Sequence, residues 1–414
     1  MDTHAHQPTA GRDPRRQTAP VGRGWTARLM LLHLGLYMAL LTPMQILLAA
    51  HLAEIDPGGK EIALGWATGL GALVAVAAAP FAGALSDRTG GRFGRRRPWI
   101  AGGALVGACG LLLTAAQSTT AGVTLGWALA QLGLSAQLAG ALAAVPDRVP
   151  VERRAAVSGS VAVPQALGLV VGAVLVTVVA SGTGGGYALL AAVVVFCALP
   201  FVLVPEEPVR AAPRPRPRAG DFWLSPRAHP DYAWAWATRF LVNLGNGLGT
   251  LYLLYFLKDA VGYGDPERGV LVLTVLYTTG VVVTASAAGA VSDRLGLRRA
   301  PVSAGAVLMS AASLVLAVWP GWATATVAAA LLGLGFGVYV SAEQALLTQV
   351  LPHSGDHAKD LGMFNAANTV PQVLGPVMAA TVVSVAGGYT GLYLAASLST
   401  GLGAVLVWRI RSVR

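Results

Sequence analysis

The sequence predicts an all-α integral membrane protein of twelve transmembrane helices in two pseudo-symmetric six-helix bundles, and three observations predict it. Of its 414 residues, 55% are hydrophobic and only 12% charged, against about 25% charged in a soluble domain. Apolar stretches of about the 20 residues that cross ~30 Å of hydrocarbon recur from Leu29 to Trp408. Blocks of the first half return in the second at a shift near 206 residues. A membrane barrel would instead alternate with period two over ~10-residue strands. Leu70 to Ala82 and Gly168 to Ala180 are apolar on every face, which is helical.

In chain order, a polar, Arg-rich tail over 1–26 has no short apolar core before a cleavage site, so it reads as a cytoplasmic tail rather than a signal peptide. The first bundle, 27–204, holds spans at 27–50, 62–85, 98–117, 122–145, 157–180 and 186–204. Residues 205–233 are too polar for the bilayer and too rich in proline for a helix. They read as a cytoplasmic spacer, whose Pro-Arg repeats could also meet anionic lipid or a partner domain. The second bundle, 234–409, holds spans at 234–257, 268–291, 300–318, 323–349, 361–385 and 389–409, and a tail, 410–414, follows.

An even number of spans puts both termini on one side, and charge says which. Of the 29 Lys and Arg, only Lys60, Lys258 and Arg268 fall in breaks on the far side. That bias places both termini in the cytoplasm, with the chain multi-pass in the cell inner membrane. The net charge of +10 therefore reports topology, and no nucleic-acid partner is implied. Trp25, Trp99, Trp234, Trp236 and Trp408 lie near the inner boundary and Trp319 and Trp322 bracket an outer turn, as interfacial indoles do. Cys109 and Cys197 sit in different spans and make neither a disulfide nor a metal framework.

Three blocks carry the repeat. Gly83-Ala84-Leu85-Ser86-Asp87-Arg88 returns as Gly289-Ala290-Val291-Ser292-Asp293-Arg294. Pro164-Gln165-Ala166-Leu167-Gly168 returns as Pro371-Gln372-Val373-Leu374-Gly375, and Arg-Arg-Arg-Pro at 95–98 has its counterpart in Arg298-Arg299-Ala300-Pro301. Matches in register at three places indicate duplication. Parallel repeats about an axis along the membrane normal suit a solute site near mid-membrane, between the halves.

These motifs resemble the major facilitator superfamily over essentially the whole chain. GALSDRTGGRFGRRRP, residues 83–98, is similar to that family's loop between the second and third helices, Gly-x-x-x-Asp-Arg-x-Gly followed by basic residues. Its extended form, with Leu41-Thr42-Pro43 and His51 in and after the first span, resembles the sugar-proton symporter branch, which includes sucrose transporters and glycoside-cation symporters. That branch carries an Asp and a nearby Arg in the fourth helix, where this chain has only Gln131 and Gln137 as strongly polar groups. The resemblance implies the major facilitator fold and alternating access, with the first, fourth, seventh and tenth helices lining the cavity.

Ionisable groups in hydrocarbon cost about 2.5–3.5 kcal/mol at mid-membrane and default to functional candidates. One carboxylate lies well inside a span: Glu343, about six residues from the cytoplasmic end of the tenth. It reads as a proton-coupling or substrate-contact group, or as a structural carboxylate tied to an Arg at the inner gate. Asn243, Asn246 and Thr250 recur at i, i+3, i+7, as do Asn365, Asn368 and Gln372, while Tyr339 and Glu343 are i, i+4. Such amide faces suit a hydroxyl-bearing solute and equally suit interhelical packing. With His33, Tyr37, Gln45, Gln131, Gln137, Gln165, Tyr252 and Gln344 they complete the cavity candidates. His33 and Arg239 occupy matching positions in the two halves; His33 could titrate near neutral pH, or the positions serve as polar anchors below the headgroups. His51 reads as lying in or near an outer loop, a sugar contact by resemblance or a solvated side chain. Gly83, Asp87, Arg88, Arg92, Arg95 and Arg96, with Gly289, Asp293 and Arg294, form the candidate cytoplasmic gate, Asp87 capping a helix and pairing with an Arg to hold the halves together.

No zinc-protease, P-loop or nucleophile-elbow motif occurs, and Gly333, Gly335 and Gly337 read as close-packing positions. The expected function is secondary transport of a small solute by a functional monomer, with no cofactor and the proton gradient as energy source. Sugar or glycoside uptake comes first, efflux of a drug-like molecule second, and a membrane sensor that binds without transporting is the remaining class.

Overall fold

A computed structural model of the protein describes residues 22–89, 93–149, 151–204, 229–295, 298–350 and 357–413. Side chains at 87, 146, 151–156, 158–160, 162, 166, 286–295, 344, 345, 347–349 and 357–366 lie outside what it describes. Twelve helical runs follow one another, and among the described residues there is no strand. They are α1 (Arg23–Ile55), α2 (Lys60–Arg88), α3 (Arg97–Ala115), α4 (Thr120–Arg148), α5 (Val151–Val174, continued by a π-helical Leu175–Val179) and α6 (Gly182–Leu203). The second half holds α7 (Pro230–Leu251 then Leu253–Ala260), α8 (Pro266–Leu295), α9 (Arg299–Val318), α10 (Trp322–Val350), α11 (His357–Val385) and α12 (Gly388–Arg409).

Ten of these are long and apolar enough to cross a bilayer outright. The seventh qualifies as a pair bent by 43° at Tyr252, and the described apolar part of α5 is the shorter Val163–Val179. Most helices outrun the expected spans by a few residues, because hydropathy marks the hydrocarbon and backbone hydrogen bonds continue past it. The bend in α7 was invisible to hydropathy. Its repeat-related stretch in α1 is also irregular: Pro43 offers no N–H, and the helix rewinds so that the Leu48 N–H donates to the Pro43 carbonyl, five residues back.

The duplication is visible in the packing. In the first half α3 packs on α4 and α6, α1 on α5 and α6, and α2 on α4; in the second α9 packs on α10 and α12, α7 on α11 and α12, and α8 on α10. The halves meet along α2 with α11 and along α5 with α8, which are themselves repeat-related pairs. Glycine makes the tightest crossings. A Cβ on Gly133 of α4 would overlap the backbone of Gly107 on α3, and one on Gly305 of α9 would lie 2.6 Å from the carbonyl oxygen of Gly335 on α10. Without a hydrophobic drive between helices in lipid, such contact supplies the association energy.

Polarity is inverted relative to a soluble fold. Phe81, Phe196, Trp66 and Val178 are each at least 67% exposed on the outer wall, where lipid is the solvent, while Tyr187, Tyr255, Tyr339 and Tyr393 are buried. On the face that holds the ends of α1 and α12, here the terminal face, tryptophans act as clamps. Trp25 packs against Phe201 at 5.8 Å, Trp99 donates to Thr89 Oγ1 at 2.8 Å, and Arg409 lies over Trp234.

Candidate functional site

The loop from α2 to α3 is held on the terminal face by one carboxylate. Arg95 and Arg96 both bind Asp147 at the end of α4, at 2.5 and 2.8 Å, and Arg96 also donates to Ser86 Oγ. These bonds lie within the first half. Asp87, Arg92, Gly289, Asp293 and Arg294 fall outside the described side chains; Arg88 is exposed and Gly83 has open space beside it. Asp147 was missed by sequence reasoning, although it is a carboxylate on an otherwise basic face. Burial pushes its carboxyl up, and the Arg96 and Arg95 guanidiniums outweigh that and hold it below the usual range. A lowered native value contributes stability that is fully present above the unfolded value near 3.9 and is lost as pH falls below it. Asp147→Asn is expected to cost about 2 kcal/mol at neutral pH, measurable as a lower unfolding midpoint that no longer falls between about pH 5 and 3.

Deeper in the second half, α7, α8 and α10 bring a polar column together. Arg239 Nη1 donates to Glu343 Oε1 at 2.6 Å, and both side chains are nearly enclosed. One turn further along α7, Asn243 Nδ2 donates to the Arg239 carbonyl at 2.8 Å. Asn246 Oδ1 then accepts from the Tyr277 hydroxyl on α8 at 3.2 Å. Tyr277 stacks on Phe336, and Phe336 on Tyr339, each at 6.1 Å. The Tyr339 hydroxyl, one turn before Glu343, is buried with no partner among the described residues. The column thus runs from an ion pair through amides and aromatic rings to a cavity.

That cavity is small, about 50 Å³, and touches both halves. Gln45 of α1 and Leu169 of α5 face Thr250, Thr274, Tyr277 and Leu332 across it. Its wall is mostly Leu and Ala with a few hydroxyls and amides, the composition of a small-molecule site.

The first half repeats the column without its charge. His33 and Gln137 sit at the positions that match Arg239 and Glu343, and both are fully buried. His33 Nδ1 lies 2.8 Å from the Leu29 carbonyl, which puts a hydrogen on Nδ1; among the described residues Nε2 has no partner, nor has either amide atom of Gln137. Tyr37 is half-buried 6.1 Å from the His33 ring.

Other predicted residues lie elsewhere. Gln131 packs against Gly71 of α2. Tyr252 reaches out of the second half and donates to the Glu61 carbonyl at 2.7 Å. His51 lies near the outer end of α1 with Nε2 3.0 Å from the carbonyl of Gln117 in the loop after α3, so it is near an outer loop, but it is buried and the solvated reading fails. Gln344 and Asn365 fall outside the described side chains, and Asn368 is half-buried.

Gln165 and Gln372 occupy matching positions in the two halves. Gln165 precedes Leu169 by one turn, and Gln372 precedes Pro376 by one turn, so each shares a face with a residue in or beside the seam between halves. Both are exposed, whereas Pro376 is packed against Gly65. The halves are thus packed together at Gly65 and Pro376, while the two glutamines one turn or more away are exposed.

Comparison with known proteins agrees with this architecture. The Major Facilitator Superfamily model matches residues 29–275 and 269–414, and so takes in every helix. No curated protein matches the chain. With a duplicated twelve-helix fold, a cavity between the halves and a family match along its length, the chain belongs to the major facilitator superfamily of secondary transporters.

Proposed function

We propose that the protein is a proton-coupled transporter of the cytoplasmic membrane, its termini in the cytoplasm, that takes up a sugar or glycoside as a monomer and uses the proton gradient alone. The observation that carries the reading is the enclosed Arg239–Glu343 pair at the foot of the amide column. Two unit charges ~4 Å apart attract by about 4 kcal/mol at an effective dielectric constant near 20. A proton on Glu343 removes that attraction between α7 and α10, and if one transport conformation breaks the pair, the equilibrium between the two shifts by up to about a thousandfold. Asn246, Tyr277, Thr250 and Gln45 supply donors and acceptors for hydroxyls, and the Leu wall supports the apolar face of a sugar ring or an aglycone. The second reading, proton-driven efflux of a drug-like molecule, is favoured by that same apolar wall.

The test is uptake of radiolabelled sugars and glycosides into proteoliposomes under an imposed proton gradient. Accumulation that collapses with a protonophore is expected. Gradient-driven movement of lipophilic cations, with none of any sugar or glycoside, would replace the first reading by the second.

A further inference from the structure

The polar contacts between the halves at the face opposite the termini form one compact group. Lys60, the first residue of α2, places Nζ 2.5 Å from Asp259 Oδ2 in the last turn of α7. Tyr389, at the start of α12, lies 2.7 Å from the same oxygen and 3.2 Å from Glu61 Oε1, and its single hydrogen can serve only one carboxylate at a time. Beneath them the Tyr255 hydroxyl donates to the Ala49 carbonyl at 2.9 Å, and its ring lies under Lys60 Nζ at 5.1 Å. Lys60 is 9% exposed. One turn deeper, a Cβ on Gly65 would meet Ala380 Cβ at 2.6 Å and the Pro376 carbonyl at 3.0 Å, so the halves touch backbone to side chain there.

We propose that Lys60, Asp259 and Tyr389 form the latch that holds the site shut on the side opposite the termini, and that parting Lys60 from Asp259 opens it to that side. Three features make this a latch rather than general packing. Its side chains come from helix ends on both halves, while each half has its own interior contacts, so the group can part without unfolding either bundle. Gln165 and Gln372, farther along α5 and α11, are exposed, whereas Gly65 and Pro376 beside the group are packed together. Asp259 is carried by the π-helical Phe256–Ala260 beyond the 43° bend of α7, and the same helix bears Arg239, Asn243 and Asn246 on the other side of that bend. A change in how α7 packs at the site is thereby transmitted to the residue that holds the latch.

The inference does not depend on the solute or on proton coupling, and its test reads distance. With Cys109 and Cys197 replaced, spin labels at Pro57→Cys and Gly264→Cys, both exposed in loops that flank the latch, report the separation of the halves in lipid nanodiscs. Lys60→Ala and Asp259→Asn are each expected to raise the long-distance population at least fivefold, and the swap Lys60→Asp with Asp259→Lys to bring it back toward wild type. Asp259→Asn keeps the side-chain shape, so it reports even where Lys60→Ala fails to fold. As a second readout, a Lys60→Cys, Asp259→Cys pair should lose solute exchange on oxidation and regain it on reduction. Unchanged distance distributions in the folded single variants, with only a lower melting temperature, would make the group structural glue and overturn the latch.

Discussion

Glu343→Gln is expected to abolish accumulation against a gradient while leaving exchange across the membrane intact. Gln has the shape of the protonated acid, and its Oε1 can still accept the 2.6 Å hydrogen bond from Arg239. What it lacks is the charge that pairs with the guanidinium and the capacity to lose a proton. The variant should therefore behave as permanently protonated. Net uptake, which needs the proton to leave, falls by a hundredfold or more, and exchange, which needs only the loaded forms to interconvert, stays within a fewfold of wild type. Arg239→Ala contrasts with it: an enclosed carboxylate is left without its partner, at about 3–5 kcal/mol, so both activities should fall together with folded yield. Proteoliposome uptake and exchange between pH 6 and 8 check both, and full accumulation by Glu343→Gln would remove Glu343 from proton coupling.

Gly333→Ala should be among the most damaging single-methyl changes at the helix crossings. A Cβ there would lie 2.8 Å from both the carbonyl carbon and Cα of Tyr277, and these are backbone atoms that cannot turn aside. Overpacking costs about 1–3 kcal/mol where neighbours can yield, and more where they cannot. We expect about 3 kcal/mol, read as a tenfold or greater loss of monodisperse protein. Because Tyr277 donates to Asn246 and lines the cavity, the protein that does fold should also bind solute less well. Gly102→Ala is the control, since no atom lies within 4 Å of the added methyl. Wild-type yield from Gly333→Ala would show that α8 and α10 can separate cheaply.

Much of the fold was legible because bilayer crossing and duplication both leave periodic marks in a sequence. Three repeat blocks in register foretold that the helix pairings of one half would recur in the other. Glu343 was legible as a lone carboxylate in an apolar run, and its match with Gln137, like that of Arg239 with His33, follows from the same shift. The bond between Arg239 and Glu343 was not, since nothing local specifies a contact across 104 residues. Helical spacing put Asn243, Asn246 and Thr250 on one face, yet Asn243 and Thr250 bond their own helix and only Asn246 reaches α8. Gln131 illustrates the limit of counting polar residues: it is polar, in a helix expected to line the cavity, and packed against Gly71. Tyr252 and Lys60 required three dimensions, because their partners belong to the opposite half.

The uneven inheritance of the duplicated column, a carboxylate with arginine in one copy and glutamine with histidine in the other, sets a ceiling on what the machine can deliver. Under the proposed coupling, the one carboxylate of the column loads one proton per turnover. A single charge falling through 100 mV yields about 2.3 kcal/mol, and at 1.4 kcal/mol per tenfold that sustains a solute ratio of about fifty. Under the proposed coupling a steeper ratio requires a steeper proton gradient, since the copy that could have carried a second carboxylate holds an amide instead.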